Sequence, residues 1–358
     1  MLFTLFIFLI LLLVLVLAHE AGHFFAAKKA GVAVEEFGFG FPPRAASVKR
    51  GGTVYSFNWV PLGGFVRLKG ETGISKDKDS FSEQSWPKRL LVIAAGVLMN
   101  FVLAAVLFSI GYTIGVPQEL NVRLPYGARV RERSVQILSV LPGSPAEKSG
   151  IQSGDALVSF DGAVIESAGR FREIVQSKKD TSVTIGVRRG GQNFEFAITP
   201  QSLPETNRVG VGVALADIGV VYYPWYLAPL GGLRATAVFT GEIIKAFGGL
   251  MVNLVRTGKP GIEVSGPVGI AVLGGEVARL GFVYLLQFAA LLSLNLGVIN
   301  ILPVPALDGG RVLFLVIEKF RGRAVSPRVE SLVHQVGFSL LLLLVAYVTL
   351  HDVLRFFR

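Results

Sequence analysis

The chain has 358 residues, of which 51% are hydrophobic, and it carries a formal net charge of +10. Such an apolar composition excludes an ordinary soluble protein and is typical of several transmembrane helices joined to soluble parts. The absence of cysteine excludes disulfides, thiol nucleophiles and cysteine metal sites, so any metal must be held by His, Asp or Glu.

The chain begins with an apolar segment, and residues 1–30 are predicted to form the first transmembrane helix. At a helical rise of about 1.5 Å per residue, Met1 to Ala27 is long enough to cross a hydrocarbon core about 30 Å thick. A cleaved signal peptide is the alternative, but Lys28 and Lys29 follow the apolar run instead of preceding it.

Toward its end this segment contains the pattern His19-Glu20-Ala21-Gly22-His23. Histidines four residues apart project from one face of a helix, and that spacing suits two ligands of one Zn²⁺ ion. Glu20 beside them can act as the general base on the attacking water. An ionisable residue inside a membrane span costs about 3 kcal/mol and is usually functional, so this setting favours a metal site over a structural role.

Residues 31–88 are rich in Gly and Pro and contain short runs of alternating apolar and polar residues. This pattern predicts a β-hairpin or a small sheet directly after the first helix. Its functional interpretation is an edge strand that holds substrate, and an ordinary cytoplasmic loop is the alternative.

The rest of the chain divides into further predicted elements. In chain order they are a second transmembrane helix (89–116), a compact α/β domain (117–215), an amphipathic helix at the membrane surface (225–258), an interrupted third transmembrane helix (282–318) and a fourth (332–351). The amphipathic helix is interrupted by Arg234, Glu242 and Lys245, so we expect it to lie on the membrane instead of crossing it. The expected fold is a multi-pass α-helical membrane protein with four transmembrane helices and an inserted extracytoplasmic domain.

Within the inserted domain, the run SPAEKSGIQSGDALVSFDG closely resembles the PDZ domain. In that family the corresponding stretch lies beside a groove that accepts a peptide as an added strand. The resemblance therefore predicts that a peptide or a substrate tail binds to this domain.

The distribution of Lys and Arg orients the predicted helices. Basic residues concentrate in the segments 28–89 and 319–328, which are therefore expected on the cytoplasmic side. Residues 117–280 and both termini are then expected outside. Because these loops next to the membrane account for the basic excess, the charge does not indicate nucleic-acid binding.

A zinc site needs a third protein ligand and an open position. Asp308 is the preferred candidate, and His334 and His351 are the alternatives. Asp308 belongs to the run NILPVPALDGG, whose prolines and glycines break the third span. Irregular backbone at membrane depth is tolerated only where it is buried or lines a cavity. The predicted topology also places Asp308 and the two histidines at a similar depth near the cytoplasmic side.

Taken together, HEAGH, NILPVPALDGG, PLGGFVRLKGE and AAGVLMNF resemble the motifs of the site-2 protease family of intramembrane zinc metalloproteases, in particular the bacterial regulators of envelope stress. Val97 departs from the family pattern, which usually has proline there. The third motif resembles the family's membrane-reentrant hairpin on the cytoplasmic side. The resemblance implies zinc ligands at His19, His23 and Asp308, a catalytic base at Glu20, and substrate contacts at Asn300, Asn295, Gly64 and Phe65.

The expected function is an endopeptidase of the bacterial cytoplasmic membrane that cleaves transmembrane segments with zinc as its cofactor. The resemblance implies a transmembrane protein substrate that another protease has already trimmed, such as an anti-sigma factor or a signal-peptide remnant. Membrane lipid is an expected partner and nucleic acid is not. The rival from another class is a catalytically inactive, membrane-anchored PDZ scaffold. A transporter is a second rival, but the polar residues cluster like metal ligands and do not form a file across the bilayer.

Overall fold

The computed structural model describes residues 2–71, 77–120, 127–203, 208–258, 265–323 and 325–356. The chain divides into two compact units: Met1–Gly111 with Pro229–Arg358, and Tyr112–Ala228. We call the first the helical unit and the second the inserted domain. The inserted domain contains the predicted segment 117–215, of which residues 121–126 and 204–207 lie outside the described part.

Five of the helices of the described residues are long and apolar, and the others are shorter or more polar. The helices are, in chain order, α1 (Leu2–Ala30), α2 (Trp86–Ile114), α3 (Pro145–Ser149), α4 (Ala168–Ser177), α5 (Ala228–Thr257), α6 (Pro267–Leu280), α7 (Phe282–Ile301), α8 (Asp308–Arg321) and α9 (Pro327–Phe356).

The strands lie between α1 and α2 and throughout the inserted domain. They are β1 (Val34–Arg50), β2 (Thr53–Leu68), β3 (Val116–Glu119), β4 (Arg129–Val140), β5 (Ala156–Phe160), β6 (Ala163–Val164), β7 (Val183–Arg189), β8 (Gln192–Ile198), β9 (Gln201–Leu203), β10 (Arg208–Gly210) and β11 (Val213–Tyr222).

Five helices of the described residues are long and apolar enough to cross a membrane, one more than the four crossings predicted from the sequence. These helices are α1, α2, α5, α7 and α9. The additional one is α5, a continuous helix of 30 residues whose charged side chains are spaced widely enough to leave an apolar stretch between them. The predicted third span is interrupted, as expected, because α7 ends at Ile301 and α8 begins at Asp308.

Strands β1 and β2 form an antiparallel hairpin between α1 and α2. Gly51 and Gly52 connect them with φ angles of 57° and 81°. Positive φ at both central residues is the requirement of the tight hairpin turn that matches the twist of paired strands, and glycine meets it without strain. The base of the hairpin, at Val34 and Leu68, is buried in a hydrophobic cluster with residues of α1, α2 and α8. The hairpin is therefore anchored to the helices beside it.

The inserted domain is built on an antiparallel sheet with the strand order β3-β11-β4-β5-β7-β8, to which β6 adds beside β5. Helix α3 begins as the sequence indicates: the Ser144 hydroxyl caps its first turn and Pro145 opens it. It ends at Gly150, which has a left-handed φ of 95°. The helices α3 and α4 contribute Ala146, Phe171 and Val175 to the core on one side of the sheet.

A buried ion pair fixes the start of β5 to the end of β7. Asp155 is 1% exposed, and its two oxygens accept hydrogen bonds from Arg189 at 2.6 and 2.7 Å. Burial by itself would raise the pKa of Asp155, but the hydrogen bonds from Arg189 and from the Gln152 N–H outweigh it and hold that pKa below its ordinary value. The pair therefore stabilises the folded domain only while Asp155 is ionised.

We expect Arg189→Leu to destabilise the inserted domain by about 3 kcal/mol at pH 7, because it leaves a buried carboxylate without its partner. Above about pH 4, the ordinary pKa of Asp, the contribution is complete, and it is lost as the pH falls through the lower pKa of the folded state. Hydrogen–deuterium exchange of the domain's amides in the full-length protein measures both effects. Arg188→Leu, at the exposed neighbouring position, is the control. An equal loss in both variants, or a loss that grows as the pH falls below about 4, would contradict the assignment.

Candidate active site

Helices α1 and α2 face each other through positions four residues apart. On α1 these are His19 and His23, and on α2 they are Val92, Gly96 and Asn100. The His23 Nδ1–H donates to the Val92 carbonyl at 2.9 Å, and His19 Nδ1 lies 3.1 Å from the Asn100 side-chain amide. The two helices therefore run in opposite directions, with both imidazoles held against one face of α2.

Two glycines allow this close approach of α1 and α2. A Cβ added at Gly22 would lie 2.2 Å from the Ala95 carbonyl oxygen, and one added at Gly96 would lie 2.2 Å from His23 Nε2. Small residues at helix contacts let backbones approach closely in membrane proteins. Gly96 has a second consequence, since it leaves the space that the His23 imidazole occupies.

Asp308 reaches the histidines from the first turn of α8. An irregular segment, residues 302–307, precedes it and contains Ala306 in the left-handed region with a φ of 77°. The Ala306 N–H donates to His334 Nδ1 on α9 at 2.9 Å, which supports this unusual backbone conformation from outside the segment. Gly309 allows α8 to fold back, because a Cβ there would lie 2.2 Å from the Leu302 carbonyl oxygen. The carboxylate also lies at a helix N-terminus, where negative charge is favoured.

The three predicted ligand side chains form a nearly equilateral triangle. His19 Nε2 lies 3.2 Å from Asp308 Oδ2, His23 Nε2 lies 3.3 Å from the same oxygen, and the two nitrogens are 3.3 Å apart. A tetrahedral zinc ion with bonds of about 2.05 Å separates its ligands by about 3.3 Å. The spacing of the triangle therefore fits one zinc ion bound by three protein atoms.

Two further observations support this fit. Asp308 Oδ2 is buried and has no hydrogen-bond partner among the described residues. The His23 Nδ1–H is directed to a backbone carbonyl, which can only accept, so the lone pair of neutral His23 lies on Nε2 and faces the carboxylate. Converging lone pairs repel one another unless a cation lies between them. The donor set of two imidazoles and one carboxylate is one that zinc prefers.

A cavity of about 270 Å³ surrounds this triangle within the helical unit. Glu20 lines it beside the histidines, as do Gly64 and Phe65 of β2. Its lining residues are His19, Glu20, His23, Gly64, Phe65, Val66, Leu68, Glu71, Phe81, Val92, Ile93, Ala306, Asp308 and Arg311. Helix residues and hairpin residues thus line one cavity, which contains the three candidate ligands and the Glu20 carboxylate.

The remaining candidate residues lie elsewhere. Asn295 donates within α7 to the Leu291 carbonyl at 3.0 Å, and neither it nor Asn300 lines the cavity. His334 accepts a hydrogen bond from the Ala306 N–H through its Nδ1 atom, and His351 is exposed near the end of α9. Among the described residues, the group with metal-binding geometry therefore contains Asp308 and neither of the alternative histidines.

Sequence reasoning missed several residues around the site. Gly96 and Asn100 contact the histidines, and Arg311 and Glu71 form an ion pair at the cavity wall. A signal for Asn100 was available, because it is an amide inside the apolar run of α2, where a polar side chain is expensive. Gly96 offered no comparable signal, since glycine is frequent in transmembrane helices.

Several known proteins are similar to this chain. The profile of peptidase family M50 matches residues 7–344. The chain is 30% identical to the zinc metalloprotease RasP of Geobacillus kaustophilus, over 98% of this chain and 97% of that protein. It is 29% identical to the regulator of sigma-W protease RasP of Bacillus subtilis, over 99% of each. A PDZ domain of an SdrC-like protein from Listeria monocytogenes is 25% identical over 26% of this chain and 93% of that domain, with a TM-score of 0.22. Because the family profile covers most of its length, the chain belongs to peptidase family M50 and is an intramembrane zinc metalloprotease of the site-2 type.

Proposed function

We propose that His19, His23 and Asp308 bind the catalytic zinc ion and that Glu20 is the general base. The observation that carries this proposal is the triangle of ligand atoms, with sides of 3.2 to 3.3 Å, in a cavity that Glu20 also lines. When bound, zinc supplies Lewis-acid chemistry, which acidifies water and polarises a carbonyl oxygen.

Glu20 then moves the protons of the reaction. Its carboxylate takes a proton from the attacking water as the new C–O bond forms at the peptide carbonyl. It gives that proton to the amide nitrogen as the C–N bond breaks. The second proton of the water passes from the new carboxylic acid to the amine, so that the products are a carboxylate and an ammonium group. The Glu20 carboxylate serves both transfers. Glu20 follows His19 directly in the sequence and lines the same cavity.

We propose that the substrate is a transmembrane segment held in an extended form beside β2. A helical substrate hides its peptide bonds within its own hydrogen bonds, so it must unwind locally and find new partners for its backbone. Gly64 brings β2 close to the catalytic helix, because a Cβ there would lie 2.7 Å from Val16 and 3.2 Å from Glu20 Cγ. Strand addition at this part of the hairpin would supply the missing hydrogen bonds. Asn300 and Asn295 remain proposed contacts of the substrate backbone.

We also propose an orientation in the bacterial cytoplasmic membrane, with the active site near the cytoplasmic side and the inserted domain outside. The basic segments 28–89 and 319–328 support this orientation. Phe57, Trp59 and Val48 of the hairpin are 52%, 71% and 62% exposed, which supports contact between the hairpin and lipid. The membrane-surface position of α5 belongs to the same proposal.

The name of one relative supports a proposal for the substrate class. One similar protein is named a regulator of sigma-W protease, and this supports a membrane-bound anti-sigma factor, already shortened by another protease, as the substrate here. A signal-peptide remnant is the other substrate of the same chemical kind. The inserted domain would bind the tail of the substrate by strand addition, as PDZ domains do.

Glu20→Gln tests this function against that of an inactive scaffold. We expect the rate of cleavage of a transmembrane substrate to fall about 10²–10⁴-fold, because the amide cannot accept the proton. The zinc content should stay unchanged, since Glu20 is not a ligand. Both are measured on purified full-length protein in detergent, by product formation and by metal analysis.

The matched control for this experiment is Glu276→Gln, which neutralises an exposed acid on α6. It should cleave at the normal rate. Normal cleavage by Glu20→Gln would remove Glu20 from the mechanism. The absence of cleavage in the unsubstituted protein, with every variant equally functional in the cell, would favour the scaffold.

A further inference from the structure

Zinc binding through Nε2 requires a particular tautomer of each histidine. Neutral imidazole carries one proton, so a histidine that gives the Nε2 lone pair to a metal must carry its proton on Nδ1. That N–H needs an acceptor, because an unsatisfied buried donor is costly. For His23 the acceptor is plain: the Val92 carbonyl lies 2.9 Å from Nδ1.

His19 has a different partner at the corresponding place. Its Nδ1 lies 3.1 Å from the side-chain amide of Asn100. The oxygen of an amide can accept a hydrogen bond and its nitrogen can only donate one. With Nδ2 facing the ring, His19 would have to keep its lone pair on Nδ1 and its proton on Nε2, where it could not bind zinc.

The surroundings of Asn100 permit the opposite arrangement. Asn100 is fully buried, and its Oδ1 has no hydrogen-bond partner among the described residues when Nδ2 faces His19. Rotating the amide by 180° exchanges its two ends without changing its shape. Either orientation leaves one end of the amide without a partner in the described part of the chain, so hydrogen bonding to the surroundings does not favour one orientation. Zinc binding by His19 favours the orientation in which Oδ1 faces Nδ1–H.

We infer that Asn100 is a positioning residue for zinc, whose Oδ1 accepts the hydrogen bond from His19 Nδ1–H and thereby directs Nε2 to the metal. This inference rests on the proposed ligand role of His19, His23 and Asp308. Helix α2 then supplies both acceptors, at Val92 and Asn100, two helical turns apart with Gly96 midway. The Asn100 backbone is held in turn, because its carbonyl accepts a hydrogen bond from Ser293 of α7 at 2.8 Å.

The test compares zinc affinity in Asn100→Leu and Asn100→Asp. Leucine has the same branching and number of side-chain heavy atoms as asparagine but no acceptor, whereas aspartate keeps an acceptor and removes the donor. Loss of an outer partner of a ligating histidine typically weakens metal binding about 10–100-fold, and we expect this for Asn100→Leu. Asn100→Asp should bind zinc within about threefold of the unsubstituted protein. The measurement is competition for zinc with a chelator of known affinity, on full-length protein in detergent.

Ser109→Ala is the matched control, because Ser109 lies on the same helix and its hydroxyl donates within that helix, to the Ala105 carbonyl. It should keep its zinc. Full affinity in Asn100→Leu would overturn the inference, and so would equal weakening in the Leu and Asp variants, which would indicate a donor or a packing role.

Asp308→Ala, measured in parallel, separates this inference from the proposal beneath it. If that variant retains zinc, the ligand set is wrong. If it loses zinc while Asn100→Leu does not, only the role of Asn100 fails.

Discussion

Asp308→Ala should leave the purified protein without stoichiometric zinc and without activity. Asp308 is the one candidate ligand of the triangle that lies on α8 instead of α1. Its Oδ2 lies within 3.3 Å of both histidine Nε2 atoms. Catalytic zinc is ordinarily held by three protein ligands, and two histidines on one helix leave half of the tetrahedron open. We therefore expect metal analysis to find far less than one zinc ion per chain.

Glu318→Ala is the control for this prediction. Glu318 is an acid on the same helix, and it pairs with Arg89 on α2, away from the triangle. This variant should keep its zinc. A full zinc content in Asp308→Ala would sink the proposed ligand set, whereas zinc loss in both variants would point to a general distortion of α8.

Gly96→Ala should also abolish zinc binding, although glycine carries no ligand atom. The added methyl carbon would lie 2.2 Å from His23 Nε2 and 2.6 Å from Cε1 of the same ring. Either the imidazole rotates away and loses its hydrogen bond to Val92, or α2 moves off α1, and both changes break the triangle. Because alanine favours a helix over glycine by about 1 kcal/mol, the loss would not come from a weaker helix.

Metal analysis together with circular dichroism checks this outcome. We expect a zinc content well below one per chain with the helical content unchanged. Gly249→Ala on α5 is the control, because a Cβ there would meet no heavy atom of the described residues within 4 Å. Full zinc occupancy in Gly96→Ala would show that the site tolerates a displaced His23 ring, which contradicts the tight fit described above.

The candidate ligand residues could be picked out from the sequence because each stands out against its apolar surroundings. His19, His23 and Asp308 are ionisable groups in spans that otherwise contain almost none, and the cost of burying them points to function. The proline and glycine residues around Asp308 likewise predicted the break between α7 and α8. The family resemblance then supplied the roles of these residues.

The contacts around the ligands could not be predicted, because they depend on which helix faces which. Nothing in the sequence places Asn100 or Gly96 against α1. Helix α6 was missed for a similar reason: it is short, and the Gly269 N–H in its first turn donates at 2.8 Å to Asp352, 83 positions away on α9. A helix cap supplied by such a distant residue cannot be predicted from the local sequence. Helix α5 was predicted at the membrane surface because of its charged side chains, whereas its length and composition would also allow it to cross a membrane.

The ligand triangle has a consequence for the synthesis of the protein in the cell. Two of the proposed ligands lie on α1, and the third lies on α8, which is synthesised only after the inserted domain and α7. A nascent or truncated chain that stops before Asp308 can present two histidines to a metal but cannot close the site around it. Proteolytic competence is thereby tied to near-completion of the polypeptide.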